Sequence, residues 1–332
     1  MGACTRGPGE DLERYVGRLE GALGTAAPEA GDAGRPLPPR VGAVQLALPG
    51  DSIDALDFLA LRGCALQVTV GKRNSSLGRL AAPSQRLLLE LEFLRLAPAC
   101  SERLRGEGRD ELAATLDRAA ASKRAQLPGR IFNATLGSDE FRDFWRAPAT
   151  LAAYPAETSS EPVSALAAID ALAARWLAGD YRADNQAFEL LLSAVARGDG
   201  GALLAALALQ REALARANAM LARRSAEGPL CRGGLVPAEV DVLRTVVRKF
   251  FVGGVQPWSA AVERRRQQLL PPLEALEGRL VEALPPPYLQ WRRQRDEVLA
   301  AAGAPRRHVE AILELLADCP GGPGVSPGPA PA

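Results

Sequence analysis

Sulfur is the chemistry this sequence displays most clearly. Five cysteines, Cys4, Cys64, Cys100, Cys231 and Cys319, are spread over 332 residues. None has the close Cys or His neighbours that a zinc site needs. Four in the body and one near the start read as two disulfides and a cysteine with another task, which places the chain in an oxidising compartment. Four cysteines allow three pairings. If Ile53–Ser76 and Ser84–Ala97 form an antiparallel hairpin, Cys64 and Cys100 lie about 18 and about 20 Å from its turn at the rise of a helix. They can therefore meet, leaving Cys231 for Cys319. The bland alternative is four buried thiols. Cys4 follows Gly2 and Ala3, small residues of the kind that precede the acylated cysteine of a bacterial lipobox. Three residues cannot hold an apolar leader, so this reading needs a signal that is missing or trimmed. The alternatives are N-myristoylation on Gly2, which Arg6 opposes by standing where Ser or Thr is wanted, and a cytosolic thiol.

Polar residues on apolar stripes are the second signal. Asn218 lies in line with Leu214 and Leu221, Arg211 shares that line, and Arg244 sits one turn after Val240. A buried polar group costs about 1–3 kcal/mol unless it is paired. The strings Arg73-Asn74-Ser75-Ser76 and Ser84-Gln85-Arg86, with Asn133, are the expected partners. Arg73, Asn74, Ser75, Gln85, Arg86, Asn133, Asn218 and Arg244 thus form a candidate polar binding cluster. It is either a hydrogen-bond network that sets helix register or a ligand pocket between helices.

Catalytic patterns are missing. His308 is the only histidine and reads as an exposed or rim residue, because a triad needs its histidine held between a nucleophile and an acid. Gly71-Lys72 lacks the rest of a phosphate loop. Arg197-Gly198-Asp199 matches an adhesion tripeptide, a chance-level match placed in a turn. No catalytic residue, cofactor or metal is expected.

The elements that must position these residues are helical. Apolar residues make up 47% and the formal net charge is +1. That is enough apolar material for a core, and it gives no electrostatic reason to expect nucleic acid or an anionic membrane surface. No stretch is read as the roughly 18 uncharged apolar residues that span a bilayer. Helical stripes recur from Leu12–Leu23 to Val309–Leu316, with Pro83, Pro237 and Pro257 at helix starts. Pro128-Gly129, Pro271-Pro272 and Pro285–Pro287 should break or kink the pattern. Val44, Leu46 and Leu48 form the one strand-like patch, within 43–48. Phe132, Phe141, Phe144 and Trp145 form an aromatic cluster. Residues 1–9 read as a lipid-anchor stump, 10–319 as a single all-α irregular bundle of roughly ten helices, and 320–332 as a disordered Pro/Gly tail.

Several strings resemble domain-of-unknown-function family 3080, uncharacterised envelope lipoproteins of Gram-negative bacteria. They are Leu56-Asp57-Phe58-Leu59-Ala60-Leu61, Cys64-Ala65-Leu66-Gln67, Arg73-Asn74-Ser75-Ser76-Leu77-Gly78, Ala82-Pro83-Ser84-Gln85-Arg86, Ile131-Phe132-Asn133-Ala134-Thr135, Arg216-Ala217-Asn218 and Arg248-Lys249-Phe250-Phe251. The resemblance covers about 10–319 and implies a lipid-anchored periplasmic protein, with no activity to carry over. The expectation is a non-enzymatic helical binding or scaffold protein, tethered through Cys4 to the membrane and otherwise free of it. Its partner would be an envelope protein or polymer, and not nucleic acid. The alternatives are a periplasmic enzyme with a pocket around Asn74, Asn133 and Asn218, and a cytoplasmic helical adaptor.

Overall fold

The computed structural model describes residues 7–31, 34–49, 61–232 and 235–320. Cys4, the expected helix start at Ile53 and the tail after Pro320 lie outside them. Helix accounts for 74% of the structure and no sheet is present among the described residues, so the all-α reading holds.

Two long rods organise the chain. The first is α10, Gly200–Ala226. Its first half is apolar on every side, Gly200 through Ala208 all being buried, as a helix enclosed by neighbours must be. Leu203, Leu204 and Leu207 belong to one hydrophobic core, while Leu214, Ala217, Met220 and Leu221 belong to a second. The second rod runs unbroken through α11 (Ala238–Val246), a π-helical segment (Val247–Val255) and α12 (Gln256–Arg279). It too contributes to both cores, Val240–Val255 to one and Val262–Leu276 to the other. The run Asn185–Ala226, which includes the preceding helix α9 (Asn185–Ala196), contains a window long and apolar enough to cross a membrane. The sequence reading had found none. Within the fold 56% of that window is buried.

Around the rods stand α1 (Pro8–Leu23), the single turn α2 (Val41–Val44), α3 (Leu66–Asn74), α4 (Ser76–Leu80), α5 (Pro83–Gly106), α6 (Asp110–Ala134), α7 (Asp139–Phe144), α8 (Glu161–Leu177), α13 (Pro286–Leu299) and α14 (Ala304–Leu315). α1 lays Leu12, Tyr15, Val16 and Leu19 into the second core and ends at Gly24, whose φ of 62° is left-handed. The antiparallel pair α5 and α6 forms one side of the first core.

Proline is a weaker stop than the sequence suggests. α5 continues past Pro98, α6 past Pro128, and α12 past Pro271 and Pro272. An interior proline costs about 3 kcal/mol. Beyond Pro98 the helix still buries Cys100, Ser101 and Leu104, and beyond Pro128 it buries Gly129, Ile131 and Phe132. Burial of that many side chains, at about 1.5–3 kcal/mol for each large apolar one, outweighs the loss. The strand-like patch is not a strand. Val44 closes α2, and the next residues run extended beside α6.

Both expected disulfides form: Cys64–Cys100 with Cα atoms 5.5 Å apart and Cys231–Cys319 with Cα atoms 5.1 Å apart. The local geometry differs from the expected hairpin. Cys64 lies in a turn ahead of α3, and Cys100 lies within α5 rather than beyond its end.

The start of α10 is packed very closely against the end of α7. A Cβ on Gly201 would sit 2.2 Å from the Arg146 carbonyl oxygen, and one on Gly198 or Gly200 would sit 2.3 Å from the Phe144 ring. Gly201→Ala should destabilise the fold by about 3 kcal/mol or more, since backbone cannot yield to it. Gly278→Ala, on an exposed face of α12 with nothing within 4 Å, should stabilise by about 0.5–1 kcal/mol. Urea midpoints that move in opposite directions would bear this out, and equal midpoints would contradict it.

Candidate functional site

The eight polar residues singled out from sequence do not gather in one place. Arg73 donates to Glu90 at 2.7 Å. Asn74 and Ser75 are exposed, and Ser75 caps α4 by accepting from the Gly78 amide. Gln85 reaches Asn185 at 2.7 Å and Glu189 at 2.6 Å, whereas exposed Arg86 donates to the Arg79 carbonyl. Asn133 accepts from the Leu46 amide at 2.8 Å and donates to the Leu46 carbonyl at 2.9 Å. Its amide thereby takes the place a neighbouring strand would have beside the extended segment. Arg244 donates to the Pro320 carbonyl at 2.7 Å. Asn133 and Asn218 take partners in separate parts of the fold, Asn74 is exposed, and the three share none of the depressions described below.

Asn218 has a partner that sequence reasoning had placed elsewhere. His308 is fully buried, not at a rim. Its Nε2 lies 2.5 Å from the Tyr15 hydroxyl and its Nδ1 lies 2.5 Å from Asn218 Oδ1. With the amide oxygen facing the ring, Nδ1–H donates to Asn218 and Nε2 accepts from Tyr15. Phe251, in the π-helical segment, packs edge-on to His308 with ring centroids 4.9 Å apart. Burial lowers the His308 pKa from 6.5 to about 3, and burial raises that of Tyr15. Both are neutral at pH 7. The network ties α1, α10 and α14 together and leaves no open position for a substrate.

Three buried charged groups escaped the sequence reading. Glu90 binds Lys123 at 2.6 Å as well as Arg73. Burial alone would raise its pKa, but the two cations outweigh burial and hold it below the usual carboxylate range. Glu277 receives Arg295 at 2.6 Å and the Tyr288 hydroxyl at 2.6 Å, with Trp145 and Trp291 each 5.2 Å from the Arg295 guanidinium. Arg265 holds Asp199 through Nε at 2.9 Å and the Ser159 carbonyl at 2.8 Å. The signal was available. Glu90 falls between Leu87 and Leu94, Lys123 between Ala120 and Leu127, and Glu277 beside Leu273 and Leu276, on the same kind of stripe that exposed Asn218.

The third group builds an open groove; a separate depression of about 340 Å³, lined by Lys72, Gln85, Glu92, Arg95 and Asn185, lies between α3, α5 and the start of α9. Asp199, placed by the close-packed start of α10, accepts from the Tyr154 hydroxyl at 3.0 Å as well as from Arg265. The indole of Trp258 donates to the Tyr154 carbonyl at 2.9 Å. The loop after α7 is therefore pinned at Tyr154 from both sides and at Ser159. Ala152 within it has a φ of 41°, a conformation that costs a non-glycine residue energy and is found where surrounding structure over-determines the backbone. Along this loop run three adjoining depressions of about 360, 130 and 350 Å³. The first two share Pro8 and Ala152, and the last two share Ala153, Tyr154 and Trp258. Glu10 lies at one end. Arg264, exposed and without a carboxylate partner among the described residues, lies at the other with Gln268. Burial first, and the Asp199 carboxylate second, raise the Tyr154 pKa, so its hydroxyl stays a neutral donor. The result is an open groove with two aromatic residues in its wall and a free guanidinium at one end. Among the described residues no three His, Cys, Asp or Glu side chains come together as a metal site.

A protein family described as protein of unknown function (DUF3080) matches residues 12–320. The chain belongs to this family. No curated protein and no solved structure matches it. The matched region contains both disulfides, both cores and most of the groove.

The buried histidine gives a signed pH dependence. Its folded pKa lies below its unfolded value, so the unfolded chain binds the proton more tightly. Stability from this group is complete above about pH 6.5 and is lost as pH falls toward about 3. Between about pH 6 and pH 4, wild-type stability should fall more steeply than that of His308→Gln, by up to about 1.4 kcal/mol per pH unit. Urea titrations across that range read the difference, and parallel curves would rule out a buried neutral imidazole.

Proposed function

We propose that this chain is an envelope lipoprotein, held on the periplasmic side of a membrane by a lipid on Cys4, that works by binding rather than catalysis. The observation that carries the reading is the pairing of all four body cysteines. Disulfides persist in oxidising compartments and are rare in the reducing cytosol. The fifth cysteine, Cys4, follows small residues and is the natural site for an acyl chain. Binding is favoured over catalysis because the buried ionisable side chains spend their hydrogen bonds on one another. Glu90, Glu277 and His308 each face structural partners away from the groove, and Arg265, which does line it, is engaged by Asp199 and the Ser159 carbonyl.

The groove along residues 150–158 is the proposed binding surface. Trp258 and Tyr154 give it aromatic walls, and Arg264 can pair with an acidic group. An extended segment of an envelope protein or polymer fits this shape better than a compact metabolite, because the three depressions are open and continuous.

Mass spectrometry tests compartment and anchor together. Produced behind a lipoprotein leader in a Gram-negative host, the chain should carry an acylated Cys4 and no free thiol at Cys64, Cys100, Cys231 or Cys319. Four free thiols, or an unmodified Cys4, would overturn the assignment. Removing the Cys231–Cys319 bridge, which closes 88 residues of chain, should destabilise the purified protein by about 4 kcal/mol, read as a lower denaturant midpoint.

A further inference from the structure

A net charge of +1 conceals an uneven surface. On the outer side of the second core, Phe250 of the π-helical segment is half-buried and three cations surround its ring. The Arg14 and Arg18 guanidinium carbons lie 5.6 Å from the ring centroid, and Lys249 Nζ lies 5.7 Å from it. Arg14 has a carboxylate partner, Asp11 at 2.6 Å. Arg18 and Lys249 have none among the described residues. Three cations gather around one aromatic ring, and only Arg14 among them is ion-paired; Glu10 and Glu20 share α1 without pairing to Arg18 or Lys249, so those two cations keep an attraction for anions.

We propose that this face rests on the anionic phospholipid headgroups of the membrane that carries the chain. Guanidinium and ammonium groups bind phosphate oxygens through charge-assisted hydrogen bonds. The half-buried ring among them suits the boundary between headgroups and acyl chains, where aromatic and long basic side chains settle. Position favours a lipid surface over a soluble polyanion. Arg14 and Arg18 lie about 9 and about 15 Å along α1 from its start at Pro8, at 1.5 Å per residue, and Cys4 is four residues before that start. A tether there holds the face within reach of the bilayer. The proposal rests on the lipoprotein reading for the tether alone, since the contact itself needs no acyl chain. One consequence concerns the groove. Pro8 and Asp11 line its middle depression, and Asp11 shares the Arg14–Arg18 stripe of α1, so a docked chain presents the middle of the groove beside the membrane.

The test uses the full chain carrying Cys4→Ser, so that no lipid contributes. Cosedimentation is measured with vesicles of phosphatidylcholine alone and of phosphatidylcholine mixed with phosphatidylglycerol. The chain should bind the anionic vesicles, bind the neutral ones far more weakly, and lose binding as salt is raised. Arg18→Gln with Lys249→Gln, which leaves the Arg14–Asp11 pair intact, should weaken binding roughly 25-fold, about fivefold per charge. Arg118→Gln with Arg124→Gln, an equal charge change at exposed positions of α6, should leave binding nearly unchanged. Equal binding to both vesicle types, no binding to either, or equal loss in the two double variants would overturn the proposal. Capture by heparin without capture by anionic vesicles would overturn it in favour of a polymer. An acylated Cys4 found together with any of these results would sink the docking face and leave the lipoprotein reading standing.

Discussion

The groove, the loop that lines it and the placement of the two cores all go back to a contact in which side chains are missing. Where α10 begins, the Phe144 ring fills the space above Gly198 and Gly200, and the backbone at Arg146 lies against Gly201. The closeness of that approach fixes the end of α7 against the first turn of α10, and with it the direction in which Asp199 points. Asp199 then collects Arg265 from α12 and Tyr154 from the loop. A side chain at any of the three glycines would push the helix away and separate these partners. The adhesion-like tripeptide at 197–199 is thus structural, its glycine packed on an aromatic ring and its aspartate engaged from two sides.

Charge burial follows one pattern across the molecule. Each buried ion is satisfied by several partners, as Glu90 is by Lys123 and Arg73, and Glu277 by Arg295, Arg292 and Tyr288. Removing a charge from water costs several kcal/mol, and excellent geometry is needed to recover it. Such pairs add little net stability beside an apolar core, but they penalise any misalignment of helices heavily. In a fold whose two rods run through both cores, that penalty falls on every packing that separates the partners. The Tyr15–His308–Asn218 chain performs the same service without charge, because burial keeps the imidazole neutral.

Much of the fold was legible. Helical periodicity located the stripes of α1, α8, α10 and α14, and glycine marked the turn before α10. The four body cysteines pair as spacing allowed, although the hairpin used to argue it has a different local form. The breaks expected at Pro128 and Pro271-Pro272 do not end their helices, because the residues beyond still have a core to enter. Within the candidate polar set, Asn218 does have the buried partner its place on an apolar stripe calls for, whereas Asn133, expected to serve that cluster, binds the Leu46 backbone instead. The partners could not be named, because they lie 90 and 87 residues away in the chain.

Local pattern therefore determined which faces of this chain are apolar, where most helices start, and that its sulfur atoms number enough for two bridges and one spare. Those properties belong to residues a few positions apart, whose relation is set by the geometry of a helix. Which faces meet was decided only in three dimensions. His308 passed from an expected rim to the centre of a core because α14 folds back onto α10. Arg18 and Lys249 became neighbours because α1 packs against the π-helical segment. Such contacts depend on the summed packing of both cores, and no short stretch of sequence carries that sum.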